Sequence, residues 1–353
     1  MLSFAFVTRP PLRRVGLYLA AGLAAAACGG GGHSTPSGPS QPPAPTYSVT
    51  ATVFYDENGN GQLDPGEAVR VPGVQVVIGD GTGRSAPGTG VAQVTGIHEG
   101  SFAVGVRTES LPAYFQPLPA GTVQVPGASD VKIPLTLSIG GNQPNVYFGY
   151  GDSITAGDGS SDFRGYGPKL QNLLAPYLGG AQVEWFGREG KTSADGLARA
   201  RTWVRTYRAA YVLVLYGTND WQDQTCQNEG PDACFTIDSL GGIVDVVQDF
   251  DGLPVLGTIP PVNPALAPEG RNTWNDQMNV KIKALAQQRQ ILLADINAEF
   301  KGASTPLSTL FSDDIHPNDA GYQVLAQGWF KAITRARSAS ASRRPRSFGF
   351  LPH

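Results

Sequence analysis

The sequence predicts an α/β protein in two parts. A three-layer α/β/α domain with a parallel sheet covers residues 145–335, and a small all-β sandwich precedes it over 47–140. Three observations carry this. Across 145–335, apolar runs of strand length alternate strictly with segments of helix length, the pattern of a parallel sheet covered on both faces. Across 47–140, short β-branched runs are broken by Gly and Pro, with no helical period of useful length. That spacing favours an antiparallel sandwich, because each short strand buries one face and then turns. Finally, 45 Gly and 28 Pro in 353 residues, with only 16% charged, describe a loop-rich chain of extracellular style.

The first element is an export signal at 1–27. Arg13 and Arg14 precede an uncharged run over 15–27 that ends in small residues. A basic start, a short apolar middle and small residues at the cut are the marks of a secretory signal. The run is too short to span a bilayer comfortably as a helix. Cys28 follows directly, which resembles a bacterial lipoprotein signal and implies lipid on Cys28, although Leu23 stands earlier than the usual Leu. The plainer alternative is an ordinary signal with an incidental Cys. Residues 28–46 are Gly, Ser, Pro, Gln and Thr with almost no apolar side chains, so burial cannot offset their ordering entropy and a flexible tether is expected. The stretch 336–353, Ser/Ala/Arg-rich with no acid, is also expected to be disordered.

Only three cysteines occur. With Cys28 lipidated, Cys226 and Cys234 form an even pair across a short loop, and an exported protein would keep such a disulfide. The alternative is two unpaired thiols.

Within the all-β part, strands are expected near 47–55, 74–78, 101–106 and 131–137. Between the first two lies the run DENGNGQLDPGE at 56–67. Oxygen side chains stand at loop positions 1, 3, 5, 9 and 12, with Gly61 at 6 for the sharp turn. That spacing wraps one hard cation with Asp56, Asn58, Asn60, Asp64 and Glu67 plus the Gln62 carbonyl. The flanks read as strands, which argues against a true EF-hand. The segment resembles the calcium-stapled, prealbumin-like β-sandwich repeats of bacterial surface proteins, and the resemblance implies a structural calcium ion. A polar hairpin without metal is the bland alternative.

In the α/β part, strands are expected near 146–150, 183–186, 212–216, 255–259 and 291–296. Helices are expected near 168–178, 194–207, 237–250, 273–289 and 319–334. Ligands in such sheets sit at the carboxyl ends of the strands. The first strand ends in Gly151-Asp152-Ser153-Ile154-Thr155, which can present a hydroxyl and nearby N–H groups. Serine is a weak nucleophile and needs a base. Of the four histidines, His33 lies in the tether, His353 is the last residue and His98 lies in the all-β part. His316 remains, in Asp313-Asp314-Ile315-His316-Pro317 just before the last helix. An acid three residues before a His can reach its second ring nitrogen and fix its tautomer. On chemistry alone Asp314 is a rival for that role.

These residues resemble the GDSL/SGNH hydrolase family, whose four sequence blocks occur in order over about 145–335. Residues 151–155 match the nucleophile block, which implies Ser153 as nucleophile with its N–H in the oxyanion hole. Gly190, in Gly187-Arg188-Glu189-Gly190-Lys191-Thr192, matches the block whose Gly donates a second N–H, although no Asn precedes it in 186–189. Gly217-Thr218-Asn219-Asp220 matches the third block, implying Asn219 as a side-chain donor. Asp313 and His316-Pro317 match the last, implying His316 as base and Asp313 as its orienter. A departure is Asp314, where the family often has Gly.

The resemblance implies a flavodoxin-like α/β/α hydrolase domain that cleaves carboxylic esters through an acyl-enzyme, without a catalytic cofactor. A formal net charge of −3 gives no reason to expect nucleic acid or a polybasic membrane surface as partner. The expected protein is an extracytoplasmic monomer, held to a membrane only through lipid on Cys28 or else secreted. Lipid esters and acetylated carbohydrate are its leading substrates. The alternative from another class is a non-catalytic surface-binding protein that uses both parts for attachment.

Overall fold

A computed structural model describes residues 43–336. The export signal, Cys28, all but the last residues of the tether, and the tail beyond Ala336 lie outside the described residues. From Ala44 onward the described chain forms one compact unit.

Eight strands form the all-β region. They are β1 (Tyr47–Tyr55), β2 (Gln75–Ile78), β3 (Gly81–Arg84), β4 (Val91–Ile97), β5 (Gly100–Val106), β6 (Gln116–Pro117), β7 (Thr122–Val125) and β8 (Asp130–Thr136). Their hydrogen-bonded order is a continuous β6-β8-β1-β4-β3-β2-β5-β7. Most neighbours are antiparallel, as expected, but β1 and β8 run parallel from Thr50↔Asp130 to Tyr55↔Leu135. The expectation of a purely antiparallel region is corrected there. The two strands are far apart in sequence, so no hairpin turn dictates their relative direction.

Five parallel strands make the second sheet: β9 (Gln143–Asp152), β10 (Gln182–Arg188), β11 (Ala209–Leu215), β12 (Leu253–Gly257) and β13 (Leu292–Ala294). Their order is β10-β9-β11-β12-β13, so the chain reverses direction of growth at β9. Side chains alternate across this sheet as its period of two requires. Tyr147, Leu213, Leu215 and Val255 enter one core, while Val146, Phe148, Tyr150, Val212 and Val214 enter another.

Helices cover both faces. The chain supplies α1 (Ser153–Ala156), α2 (Gly167–Leu178), α3 (Ser193–Tyr207), α4 (Gln224–Asn228), α5 (Thr236–Asp249), α6 (Arg271–Arg289), α7 (Ile296–Lys301) and α8 (Asp319–Thr334). The short helices α1, α4 and α7 carry too few turns to show a period in sequence. Helix α2 buries Leu170, Leu174 and Leu178 at a spacing of four, and α8 buries Tyr322, Leu325 and Trp329 beside it. Helix α5 buries Leu240, Ile243, Val244 and Val247 on the other side. Helix α3 starts in a reciprocal capping box between Thr192 and Asp195.

The core under α2 and α8 continues without a break into the all-β region, through Val53, Tyr55, Leu111 and Leu135. Tyr114 extends this contact. Its hydroxyl donates to the Pro254 carbonyl (3.0 Å) and accepts from the Leu292 N–H (3.1 Å), at the amino ends of β12 and β13. Cys226 and Cys234 form a disulfide. No helix among the described residues is long and apolar enough to cross a membrane.

Candidate active site

The carboxyl ends of β9, β10 and β11 and the loop before α8 supply the reactive groups. Strand β9 ends at Asp152, and Ser153 opens the one-turn helix α1, with the Asp152 side chain accepting from Ile154 N–H. A first-turn residue has no intrahelical acceptor for its N–H, so Ser153 brings both a hydroxyl and an unsatisfied donor to one place. The close approach here needs glycine at 151. A Cβ on Gly151 would stand 2.4 Å from the Leu215 carbonyl oxygen on β11.

His316 reaches this serine from the loop before α8. Its Nε2 lies 2.9 Å from Ser153 Oγ, and its Nδ1 lies 2.7 Å from Asp313 Oδ2. Asp313 is itself held, since its Oδ1 accepts from the N–H groups of Ile315 (2.9 Å) and His316 (2.7 Å). Partial burial acts to raise the Asp313 pKa, but the hydrogen bonds from His316 and Ile315 outweigh it and hold the carboxyl below its ordinary value. An ionised Asp313 keeps the proton on Nδ1 and leaves Nε2 free to accept from Ser153. The Asp314 carbonyl accepts from Asn263 N–H (2.8 Å), and the Asp313 carbonyl from Asn263 Nδ2 (3.2 Å). The backbone of the His316 turn is thus pinned to the loop after β12. Neither ring nitrogen of His316 bonds to the Asp314 carboxylate.

Gly190 and Asn219 sit in neighbouring loops after β10 and β11. Gly190 has φ +66°, the left-handed region where a side chain is strained, and nothing stands within 4 Å of where a Cβ would be. Asn219 is buried and spends one amide hydrogen on the Lys191 carbonyl (3.0 Å), which leaves the other for a ligand. A serine paired with an imidazole, an ionised acid behind the imidazole, and N–H donors on adjacent loops can together open an acyl bond.

Several buried polar residues around this site were given no role from sequence, although Asp152 and Asp220 lie inside the matched blocks. Asp220 accepts from Ser193 N (2.8 Å), Ser193 Oγ (2.6 Å) and Thr236 Oγ1 (2.6 Å). Arg271 is buried, donates to the Thr218 carbonyl (2.6 Å) and lies 4.7 Å over the Trp221 ring. Burial lowers its pKa, opposed by the charges of Asp314 and Asp152. Asp152 is fully buried, and burial pushes its pKa up to about 7, against the Ile154 N–H bond and with the Asp220 charge. Membership of those blocks was the available signal for Asp152 and Asp220, and only packing shows which groups meet.

The 56–67 loop lies in the all-β region. Asp56 and Glu67 are buried, at 1% and 4% exposure. Asp56 accepts from the N–H groups of Gly59, Asn60 and Gly61, and Glu67 from those of Glu57 and Asp64. Asn58 and Asn60 both turn their amide nitrogens onto Asp64 Oδ2 (2.8 Å each). Among the described residues no group of three or more His, Cys, Asp or Glu side chains is arranged to hold a metal ion. The donor set is chemically suited to calcium, with two buried carboxylates, a third carboxylate and two amides in one turn. Coordination through oxygen would require the two amides to turn over. Local negative charge is evident at Tyr55, whose pKa is raised to about 12 by burial and then by Glu57, Asp56 and Glu67.

Residues 150–324 match the GDSL-like lipase/acylhydrolase family. Among solved structures, the acetylxylan esterase Axe2 from Geobacillus stearothermophilus is similar at 24% identity and a TM-score of 0.46, over 56% of this chain and 96% of that one. LAE5, an α/β hydrolase from the metagenome of Lake Arreo, is similar at 22% identity and a TM-score of 0.46, over 56% and 98%. A GDSL-like lipase from Bacteroides thetaiotaomicron is similar at 21% identity and a TM-score of 0.43, over 54% and 88%. No curated protein matches this sequence.

Proposed function

We propose, for a chain whose residues 150–324 are a GDSL-like lipase/acylhydrolase domain and which is therefore a carboxylic ester hydrolase, that the ester is cleaved through an acyl-enzyme on Ser153. The observation that carries this is the unbroken line from Ser153 Oγ through His316 to Asp313, with contacts of 2.9 and 2.7 Å. Ser153 Oγ attacks the ester carbonyl carbon while its proton passes to His316 Nε2. The oxyanion is held by the N–H groups of Ser153 and Gly190 and by Asn219 Nδ2. Collapse breaks the bond to the leaving oxygen, which takes the proton from His316 and departs as alcohol. Water then attacks the acyl-enzyme, giving its proton to His316, and the carboxylic acid leaves as Ser153 recovers its hydrogen. Asp313 orients His316 and stabilises the imidazolium at each transfer.

The substrate classes we propose are lipid esters and acetylated carbohydrate, met outside the cytoplasm by a protein that is anchored through Cys28 or secreted. Calcium bound at 56–67 would be structural. Holding Asp56, Asn58, Asn60, Asp64 and Glu67 together is the task it would serve there, far in sequence from the reacting groups.

The test is a panel of p-nitrophenyl esters of short and long acyl chains, assayed with wild type and Ser153→Ala. Turnover by wild type and its loss in the folded variant are expected. Substantial turnover by purified Ser153→Ala would reject the nucleophile, and the chain-length profile separates short acetyl from long lipid acyl groups.

A further inference from the structure

We propose that Asp220 is a positioning residue that locks the two loops bearing Gly190 and Asn219 to one another, and that it acts on the reaction through Asn219. The proposal rests on the reading of Asn219 as an oxyanion donor.

The geometry is a closed ring. Asn219 Nδ2 donates to the Lys191 carbonyl at 3.0 Å, and the next residue, Asp220, accepts from Ser193 N at 2.8 Å and Ser193 Oγ at 2.6 Å. Segments 191–193 and 219–220 are therefore tied at both ends, with Gly190 immediately outside the ring. A third bond to Asp220, from Thr236 Oγ1 at 2.6 Å, fastens the ring to the first residue of α5. Asp220 is 0% exposed, and all three of its donors are neutral groups.

A buried carboxylate without a cationic partner carries a desolvation cost, so a stability role alone is a poor reason to place one here. What a carboxylate supplies is acceptor capacity on both oxygens. Oδ1 takes the backbone N–H, while Oδ2 takes both hydroxyls. An asparagine would replace these charge-assisted bonds by neutral ones and force both hydroxyls to turn their hydrogens away, which loosens the ring. An oxyanion donor is effective only when its direction is set before charge develops. With Lys191 and Asp220 fixed, the Asn219 side chain cannot swing without breaking its bond to the Lys191 carbonyl.

The experiment is a double-mutant cycle on a soluble aryl ester, with melting temperature followed in parallel. Loss of one oxyanion donor costs roughly 10²–10³ in kcat, so Asn219→Ala should fall in that range. Asp220→Asn should lower kcat by roughly 10² with KM changed less than about threefold. In the Asn219→Ala background, Asp220→Asn should add less than about a threefold loss, because its route to the reaction is already gone. Losses that multiply would overturn the proposal, as would Asp220→Asn at near wild-type kcat beside a crippled Asn219→Ala. Should Asp220→Asn not fold, Ser193→Ala decides, since it removes one bond and leaves the carboxylate. It should lower kcat about tenfold alone and have no effect in the Asn219→Ala background. An unchanged kcat in Ser193→Ala would then overturn the proposal. Asn219→Ala at wild-type kcat would instead reject the oxyanion reading on which it rests.

Discussion

His316 Nδ1 lies 2.7 Å from Asp313 Oδ2, while the neighbouring Asp314 offers the turn only its backbone carbonyl, to Asn263. Two adjacent carboxylates with similar intrinsic chemistry are separated here by where the backbone aims them.

Asp313→Asn should therefore lower kcat strongly, since an amide cannot stabilise the imidazolium as a carboxylate does. Asp314→Asn should stay within about threefold of wild type, as expected for a charge that does not touch the ring. Steady-state kinetics of both variants under one buffer condition decides the matter. A crippled Asp314→Asn beside an active Asp313→Asn would reverse the assignment.

Tyr114→Phe should destabilise the protein by about 1–3 kcal/mol while leaving kcat unchanged. The variant strips a partner from the buried Pro254 carbonyl and the Leu292 N–H, and an unmet buried polar group costs that much. These groups mark the amino ends of β12 and β13, whereas the reacting residues sit at carboxyl ends of the sheet. Urea melts followed at two wavelengths, with activity measured in water, check both halves. A change in kcat with no change in stability would contradict this account.

Asp152 should make stability fall as pH rises. Its folded pKa, raised to about 7 by burial, exceeds its ordinary value of 3.8, so the native state holds a proton that the unfolded chain has released. The native state gains from this below about pH 4 and loses the advantage progressively up to about pH 7, with little further change above. Asp152→Asn keeps an acceptor for Ile154 N–H and removes the titration. Its stability between pH 4 and 7 should decline less than that of wild type in paired denaturant melts. Parallel curves for the two proteins would show that Asp152 is not the source.

Calcium should raise the melting temperature of the intact protein, and a chelator should lower it. A ligand that binds only the native state at a hundredfold excess over its Kd contributes about 2.7 kcal/mol. Ester turnover measured at a temperature where both forms stay folded should not differ. An unmoved melting transition would reject the metal site, and prompt loss of turnover on chelation with the fold intact would make the metal catalytic.

The sequence alone determined the alternation of apolar strands and helices in 145–335 and the β-rich texture of 47–140. It also determined the positions of Ser153 and His316 at a strand end and before a helix. Those features are local or periodic: Leu170, Leu174 and Leu178 announce a buried helix face without reference to anything else in the chain. Packing decided what depends on residues distant in sequence. The parallel pairing of β1 with β8 and the ring joining Asp220 to Ser193 have no period and no spacing to betray them, whereas the three-residue spacing to His316 already favoured Asp313 over Asp314. Tyr114 shows the limit most plainly. Nothing in its neighbourhood of the chain predicts that its hydroxyl will bridge two strands 140 and 178 residues away, because a hydrogen bond is set by position in space, and only the folded chain supplies that.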